Sequence, residues 1–445
     1  MKFVNIIGAG LAGCEAAYQL SKRGFGVVLY EQKPKYKSNA HTLDTFAELV
    51  CSNSLKSQEI STASGLLKAE LELMDCLLLR LAKQCSVPAG SALAVDREQF
   101  SQLVTNTIAT LTNITIKQGV VEYINTNIPT IIATGPLTSG KLSLQLQELT
   151  GGFLDFFDAV SPIIEMDSIN MERAFVQDRY NKHANDNEQS KETRGDYINC
   201  TIDKQEYDEF FNAIISAERV QPKDWENIQY FENCMPIEVI AKRGYDTMRF
   251  GPLRPVGFVD PATNKRPYAV LQLRKENTNG NIYNLVGFQT SLKFGEQKRV
   301  FGIIPALKNA EFVRYGVMHR NSFVNAPKVL NNTFALKSHS NIYIAGQLSG
   351  LEGYMESIMS GLIAGINMAQ FLCHKPTLEF DNTTMMGALT DYITKPNSNY
   401  TPMNANFGIL PPIENIRDKQ IRKKAYSQRA LLSLRNTIQN TNILK

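Results

Sequence analysis

The sequence predicts an α/β fold, a parallel nucleotide-binding sheet interrupted by a smaller α+β insertion. Three observations carry this expectation. The chain opens with a short β-branched run and a glycine-rich turn. Two later strands, near residues 130 and 342, run into glycines. Between them, from about Ser161, the βαβ alternation gives way to aromatic-rich, polar sequence.

Phe3 to Ile7 (FVNII) reads as a buried parallel strand, and Gly8-Ala9-Gly10-Leu11-Ala12-Gly13 follows it as G-x-G-x-x-G. A helical pattern runs on to Arg23 and stops at Gly24; a second strand, Val27 to Tyr30, ends in Glu31. Gly8 permits the tight turn, Gly10 lets backbone approach a pyrophosphate, and Gly13 lets the helix pack close to the strand. The helix N-terminus offers N–H groups and a positive dipole end to phosphate. Glu31, 18 residues beyond Gly13, stands where an acid accepts hydrogen bonds from ribose hydroxyls. A bare glycine hexapeptide is common; this one has strand, helix, second strand and terminal acid in register, as in a Rossmann-like unit.

Two further elements select FAD over NAD as the dinucleotide. Thr130 to Pro136 is a strand ending in A-T-G at Gly135, and Asn341 to Gln347 leads through Gly346 and Gln347 to Gly350, Glu352 and Gly353. The small-residue helix Ser357 to Ala369 that follows is expected to aim its N-terminus at the flavin's pyrimidine edge. The cofactor-binding set is therefore Gly8, Ala9, Gly10, Leu11, Ala12, Gly13, Glu31, Gly135, Gly346, Gln347, Glu352 and Gly353. No second G-x-G-x-x-G marks a separate nicotinamide site.

The rest organises around that frame. A glycine-poor helical run covers Ser64 to Gln84, its leucines mostly core, and Asp96 to Leu111 is another helix. Lys182 to Gly195 is polar enough to be an exposed loop, and Thr201 to Arg219 reads as a helix. Alternation returns from Val270 to Val286 around an Asn279-Gly280 turn. The expected division is 1–160 and 295–400 for the two parts of the FAD-binding domain, 161–294 for the insertion and 401–445 for a basic C-terminal segment.

Composition bounds the function. At 445 residues the chain is long enough for more than one core, and 43% apolar with 20% charged residues excludes a disordered or fibrous protein. A net charge of +4 is mild, so the position of the charge matters more than its sum. Between Arg417 and Arg435 seven basic residues face one acid. Ile416, Ile421, Ala425, Leu431, Leu432 and Leu434 give this stretch a partial apolar face, so it reads as a basic amphipathic helix. Arg417, Lys419, Arg422, Lys423 and Lys424 form either a solvated face or a track for RNA phosphate. No stretch approaches the ~20 apolar residues of a membrane helix and no targeting segment is visible, so a cytoplasmic, soluble chain is expected.

Seven cysteines without a C-x-x-C pair give neither a disulfide framework nor a metal knuckle, and no metal is expected. Cys51 (FAELVCSNSLKS, 46–57) has small polar neighbours and a lysine nearby to favour thiolate, while Cys234 (YFENCMPIE, 230–238) lies in the insertion. Cys14, Cys76, Cys85, Cys200 and Cys373 lack such company and are read as structural.

At these residues the chain resembles the folate- and FAD-dependent tRNA (uracil-5-)methyltransferases, the TrmFO family of GidA-type flavoproteins. Beyond GAGLAG (8–13), the likeness includes FAELVCSNSLKS (46–57), VPAGSALAVDREQF (87–100), ATGPLTS (133–139) and YFENCMPIEVIAKRG (230–244). It continues through RFGPLRPVGF (249–258), GEQKRVF (295–301), NAEFVRYGVMHRN (309–321), IAGQLSGLEGYMESIMSGLIAGIN (344–367) and PMNANFGILPP (402–412).

The resemblance implies that 5,10-methylenetetrahydrofolate gives a methylene carbon to reduced flavin, with NAD(P)H as source of electrons. The carbon is then delivered to C5 of a uridine, most simply the tRNA T-loop uridine, or in a paralogous branch a 23S rRNA uridine. C5 is a poor nucleophile until a thiolate adds at C6. By analogy that thiolate is Cys234, and Cys51, beside the flavin, holds or releases the carbon or acts as base at C5. A non-catalytic flavin-binding RNA-binding protein is the reading from another class. Arg249, Arg254, Arg314 and Arg320, in matching blocks, are candidates for RNA phosphate or folate carboxylate. One departure stands out: Ser291 follows G-F-Q-T where many relatives carry a histidine able to stack on the pterin. Oligomeric state is not legible.

Overall fold

The computed structural model describes residues 2–38, 40–179, 195–220, 230, 235–397, 400–414 and 416–443. The opening strand Phe3–Ile7 lies at the centre of a five-stranded parallel sheet. Gly26–Glu31 and then Ile114–Gln118 flank it on one side, Thr130–Ile132 and then Ile342–Ile344 on the other. The near-continuous apolar strands at its middle follow from burial on both faces, while the edge strand Ile114–Gln118 is polar and largely exposed. The chain leaves the first strand in one direction and returns later in the other, so a crevice opens beyond its C-terminal end, the switch point where such sheets bind ligands.

The helix Leu11–Lys22 covers one face and packs directly on the late helix Tyr354–Leu372. Small residues make that approach possible: a Cβ on Gly361 would lie 2.2 Å from the Ala12 carbonyl oxygen. The late helix is buried along most of its length, which explains its apolar composition all round.

The leucine-rich run expected as one helix from Ser64 to Gln84 is two, Ala63–Leu73 and Leu77–Gln84. Asp75 breaks it with a left-handed φ of 55°. Its carboxylate takes Lys22 and the Tyr18 hydroxyl, while buried Glu15 of the first helix accepts the Leu78 and Leu77 N–H groups at 3.0 and 3.3 Å. Long-range capping overrides local helix propensity there.

The chain leaves the first domain along Phe153–Ala159 and re-enters along Met318–Val324, which pair antiparallel. Between them lies a six-stranded antiparallel sheet in the order Ala174–Val176, Tyr197–Ile202, Ala269–Lys275, Ile282–Leu285, Ile163–Glu165, Phe312–Arg314. Its last strand falls past the boundary expected at 294. The helix expected from Thr201 begins later, at Lys204–Ser216, because Thr201 and Ile202 end a strand and Asp203 forms a capping box with Glu206. Tyr207, Phe210 and Ile214 turn its apolar face into a second core with Phe288 and Phe301. The loop expected over Lys182 to Gly195 lies, but for Gly195, outside the described residues.

The C-terminal helix, Lys419–Thr441, is capped by Asp418. Ser427, Ala430 and Leu434 bury one face against Ala63–Leu73, and the Ser427 hydroxyl donates to the Ile60 carbonyl at 2.6 Å. Ile421 and Leu432, expected on the apolar face, are exposed instead. Among the described residues no helix is long and apolar enough to cross a membrane.

Candidate functional site

The crevice at the switch point is a cleft open to solvent on one side. Its floor is the turn Gly8-Ala9-Gly10 and the first turn of Leu11–Lys22; its walls are Glu31 to Lys33, Ala133 to Ser139, and Gly346, Gln347, Tyr354 and Ser357. A Cβ on Gly13 would stand 1.8 Å from the Gly8 carbonyl oxygen, so only glycine lets helix and turn close together. A Cβ on Gly10 would meet no atom within 4 Å: that face of the backbone is open to the cleft. Gly10 caps the helix with no side chain, leaving the first N–H groups to a phosphate. Buried Glu31 is fixed by two backbone donors, Ala9 N–H and Lys33 N–H, each at 2.9 Å. An open glycine face, an uncapped helix start and a fixed acid at the second strand's end fit the pyrophosphate and ribose of a dinucleotide.

Cys51 sits half-buried beside this cleft. The Tyr354 hydroxyl, on the cleft wall, accepts the N–H groups of Cys51 at 2.8 Å and Ser52 at 3.2 Å. Burial first, and Cys51 second, push the Tyr354 phenol upward, so it stays protonated. The Cys51 sulfur lies 3.9 Å from the Ala159 carbonyl. Arg97 donates to the Leu49 and Cys51 carbonyls at 3.0 and 3.1 Å, and Arg314 to the Val50 carbonyl at 2.5 Å. Cys234 lies outside the described residues. Tyr230 bridges Phe157, two positions before Ala159, and the Ile237 N–H donates to the Gln289 carbonyl at 2.7 Å.

A family model described as Glucose inhibited division protein A matches residues 3–376. A protein of Halalkalibacterium halodurans is 50% identical over 438 residues, covering 98% of each chain, and one of Acetivibrio thermocellus is 51% identical over 439 residues with the same coverage. Both are named methylenetetrahydrofolate--tRNA-(uracil-5-)-methyltransferase TrmFO. The chain belongs to the TrmFO family. Aquifex aeolicus GidA matches with a TM-score of 0.68 at 16% identity, over 98% of this chain and 73% of that one, and so shares the fold.

The TrmFO-type blocks land on the site unevenly. Gly8, Ala9, Gly10, Leu11, Ala12, Glu31, Gly135, Gly346 and Gln347 line the cleft. Gly13 lies beneath its floor, and Glu352 and Gly353 stand behind its wall, where the Gln347 amide donates to the Glu352 carboxylate. Burial, then Asp158, pushes Glu352 well above the usual carboxylate range. Arg249 is occupied internally, donating to Asp246 at 2.7 Å and lying 3.7 Å from the Tyr268 ring centroid. Arg320 pairs with Asp155 at 2.5 Å, whereas Arg254 is exposed.

Ser291 is buried in the insertion. Its hydroxyl and N–H donate to one Glu238 oxygen at 2.5 and 2.7 Å, and Thr290 donates to the other at 2.9 Å. Arg417, Lys419 and Lys424 are exposed, Arg422 and Lys423 half-buried. Cys14, Cys76, Cys85 and Cys200 are buried, and Cys373 is exposed at the end of the late helix. Sequence reasoning missed His41, Glu48 and Tyr354 on the cleft wall and Arg97 behind Cys51. The tyrosine at the head of the late helix was visible in GLEGYMES (350–357), Glu48 in FAELVCSNSLKS (46–57) and Arg97 in VPAGSALAVDREQF (87–100); His41 lies in none of the quoted blocks.

Proposed function

We propose that this chain methylates C5 of a tRNA uridine, the T-loop position, using 5,10-methylenetetrahydrofolate as carbon donor and FAD as the bound dinucleotide. The carrying observation is that Cys51 is hydrogen-bonded through its own N–H to Tyr354, a wall of the dinucleotide cleft. Half-identity to proteins named for this reaction, over nearly their whole length, supports the same reading. Reduced FAD, when bound, would supply the electrons that turn a methylene into a methyl group, with NAD(P)H as their source in the cytoplasm.

The chain's own residues do the rest. The open Gly10 face and the helix start would hold the pyrophosphate, and Glu31, fixed by the Ala9 N–H, would accept from the ribose. Cys234, by family analogy, adds as thiolate to C6 and so places an electron pair at C5, which attacks the donated carbon; loss of the C5 proton then expels the sulfur. Cys51, by the same analogy, takes that proton or holds the carbon. Lys419, Lys423 and Lys424 on the terminal helix, with Arg417 and Arg422 near its start, would track RNA phosphate.

The test offers purified protein, FAD, the folate donor and either NADH or NADPH to transcripts of tRNA and of 23S rRNA, and reads 5-methyluridine by mass spectrometry. Methylated tRNA is expected. Methylation of the rRNA alone would move the substrate, and RNA binding without turnover under any folate condition would replace the enzyme by a flavin-binding RNA-binding protein.

A further inference from the structure

Three consecutive carbonyls around the candidate thiol are held by guanidinium groups. Leu49 and Cys51 are taken by Arg97, and Val50 between them by Arg314. The next contact, at Asn53, is of the same kind: its side-chain oxygen accepts from Arg274 at 2.9 Å while its amide donates to the Lys275 carbonyl at 3.0 Å. Arg274 and Lys275 belong to the insertion, and so does Glu276, which forms an ion pair with Arg97. A short peptide is thus clamped by three arginines against one buried carboxylate.

We propose that Arg97 and Arg314 form a guanidinium clamp that positions the 49–51 peptide and holds Cys51 poised as a thiolate, with Glu276 tethering the clamp to the insertion. The inference deepens the reading of Cys51 as a reacting thiol and rests on it. A guanidinium keeps its charge when buried and presents several fixed donors, so it can grip backbone carbonyls and still face a thiolate.

The groups around the sulfur favour this balance. From the strand Phe312–Arg314 comes Arg314, which donates to the Val50 carbonyl and which burial and then Arg97 push down while Cys51 pulls it up. From the helix Arg97–Ala109 comes Arg97; the neighbouring Asp96 is turned away, accepting from Gln99 and Thr278. From the late helix comes Tyr354, neutral and engaged with the Cys51 and Ser52 N–H groups. From Phe153–Ala159 come the Ala159 carbonyl, which disfavours a thiolate, and Asp158, whose charge bears on Glu352. Behind Arg314, burial first and Arg314 itself keep His319 low and therefore neutral. Burial raises the Glu276 carboxyl, while Arg97 and Arg274 pull it back toward the charged form that pairs with the clamp. Against the Ala159 carbonyl at 3.9 Å stand two guanidinium groups that grip the same three-residue peptide.

The experiment alkylates the full-length protein with iodoacetamide across a pH series and reads Cys51 by peptide mass spectrometry, which separates it from the other thiols. The wild-type midpoint is expected more than about one pH unit below the ~8.5 of free cysteine. Arg314→Gln should raise that midpoint by about one unit, and Arg314→Lys, which keeps the charge, should restore at least half of the shift. A wild-type midpoint within one unit of ~8.5, or above it, overturns the clamp. So does an unshifted midpoint in an Arg314→Gln protein that still retains flavin and melts cooperatively. Should that variant fail to fold, the wild-type midpoint alone decides. Alkylation needs neither RNA nor folate, so its outcome is independent of whether uridine is methylated.

Discussion

The Tyr354 hydroxyl accepts the Cys51 N–H at 2.8 Å, which ties the thiol-bearing loop to the first turn of the late helix. Tyr354→Phe removes an acceptor shared by two backbone donors. Its expected stability cost is about 1–2 kcal/mol by chemical denaturation. Because the sulfur's position rather than the cofactor's is disturbed, kcat should fall about tenfold while FAD affinity changes less than about threefold. Equal losses in both would show that Tyr354 serves the cofactor instead.

Gly13→Ala tests the cleft floor. The added methyl would stand 1.8 Å from the Gly8 oxygen, a contact that backbone must move to relieve. The purified variant should retain less than about a tenth of the flavin absorbance of the wild type, since the turn and the helix start cannot both keep their places. Full retention would show that the turn yields without cost.

The cofactor half of the site was legible in the sequence because it is local: strand, glycine turn, helix and acid fall within residues 3–31, and their spacing fixes their geometry. The hairpin around Gly280 was legible for the same reason. What surrounds Cys51 was not. Arg97, Arg314 and Tyr354 come from three separate elements, and only tertiary folding converts them from an N-terminal helix residue, a strand end and a helix start into one shell. The break at Asp75 escaped notice likewise, because its partners Lys22, Tyr18 and Arg80 lie partly on another helix.

Glu70 predicts a pH dependence. Its oxygens accept the Met385 and Met386 N–H groups at 2.7 and 2.9 Å, and burial pushes its carboxyl up to about 8. An unfolded chain releases that proton near ~4.3, so between there and about 8 the native state binds more protons and stability falls as pH rises. This group's share of the slope is at most about 1.4 kcal/mol per pH unit. Denaturation midpoints across that window should flatten in Glu70→Gln; an unchanged slope would place the dependence elsewhere.

The terminal helix makes an ionic-strength prediction. Converting Lys419, Lys423 and Lys424 to glutamate should weaken tRNA binding, and the slope of log affinity against log salt should lose about 0.7–0.9 for each phosphate contact removed. Flavin content should stay unchanged, since this helix packs on Ala63–Leu73 and not on the cleft. An unaltered slope would reduce the basic face to a solvated surface.

The most direct test of the account follows one carbon atom. Protein loaded with FAD is given NADH or NADPH, a tRNA transcript, and methylenetetrahydrofolate labelled with carbon-13 at the transferred methylene; the nucleosides are then weighed. The label is expected in the C5 methyl of a single uridine, and it should disappear in Cys234→Ala. Uridine that stays unlabelled in the complete mixture, or label that persists undiminished without Cys234, would contradict the account.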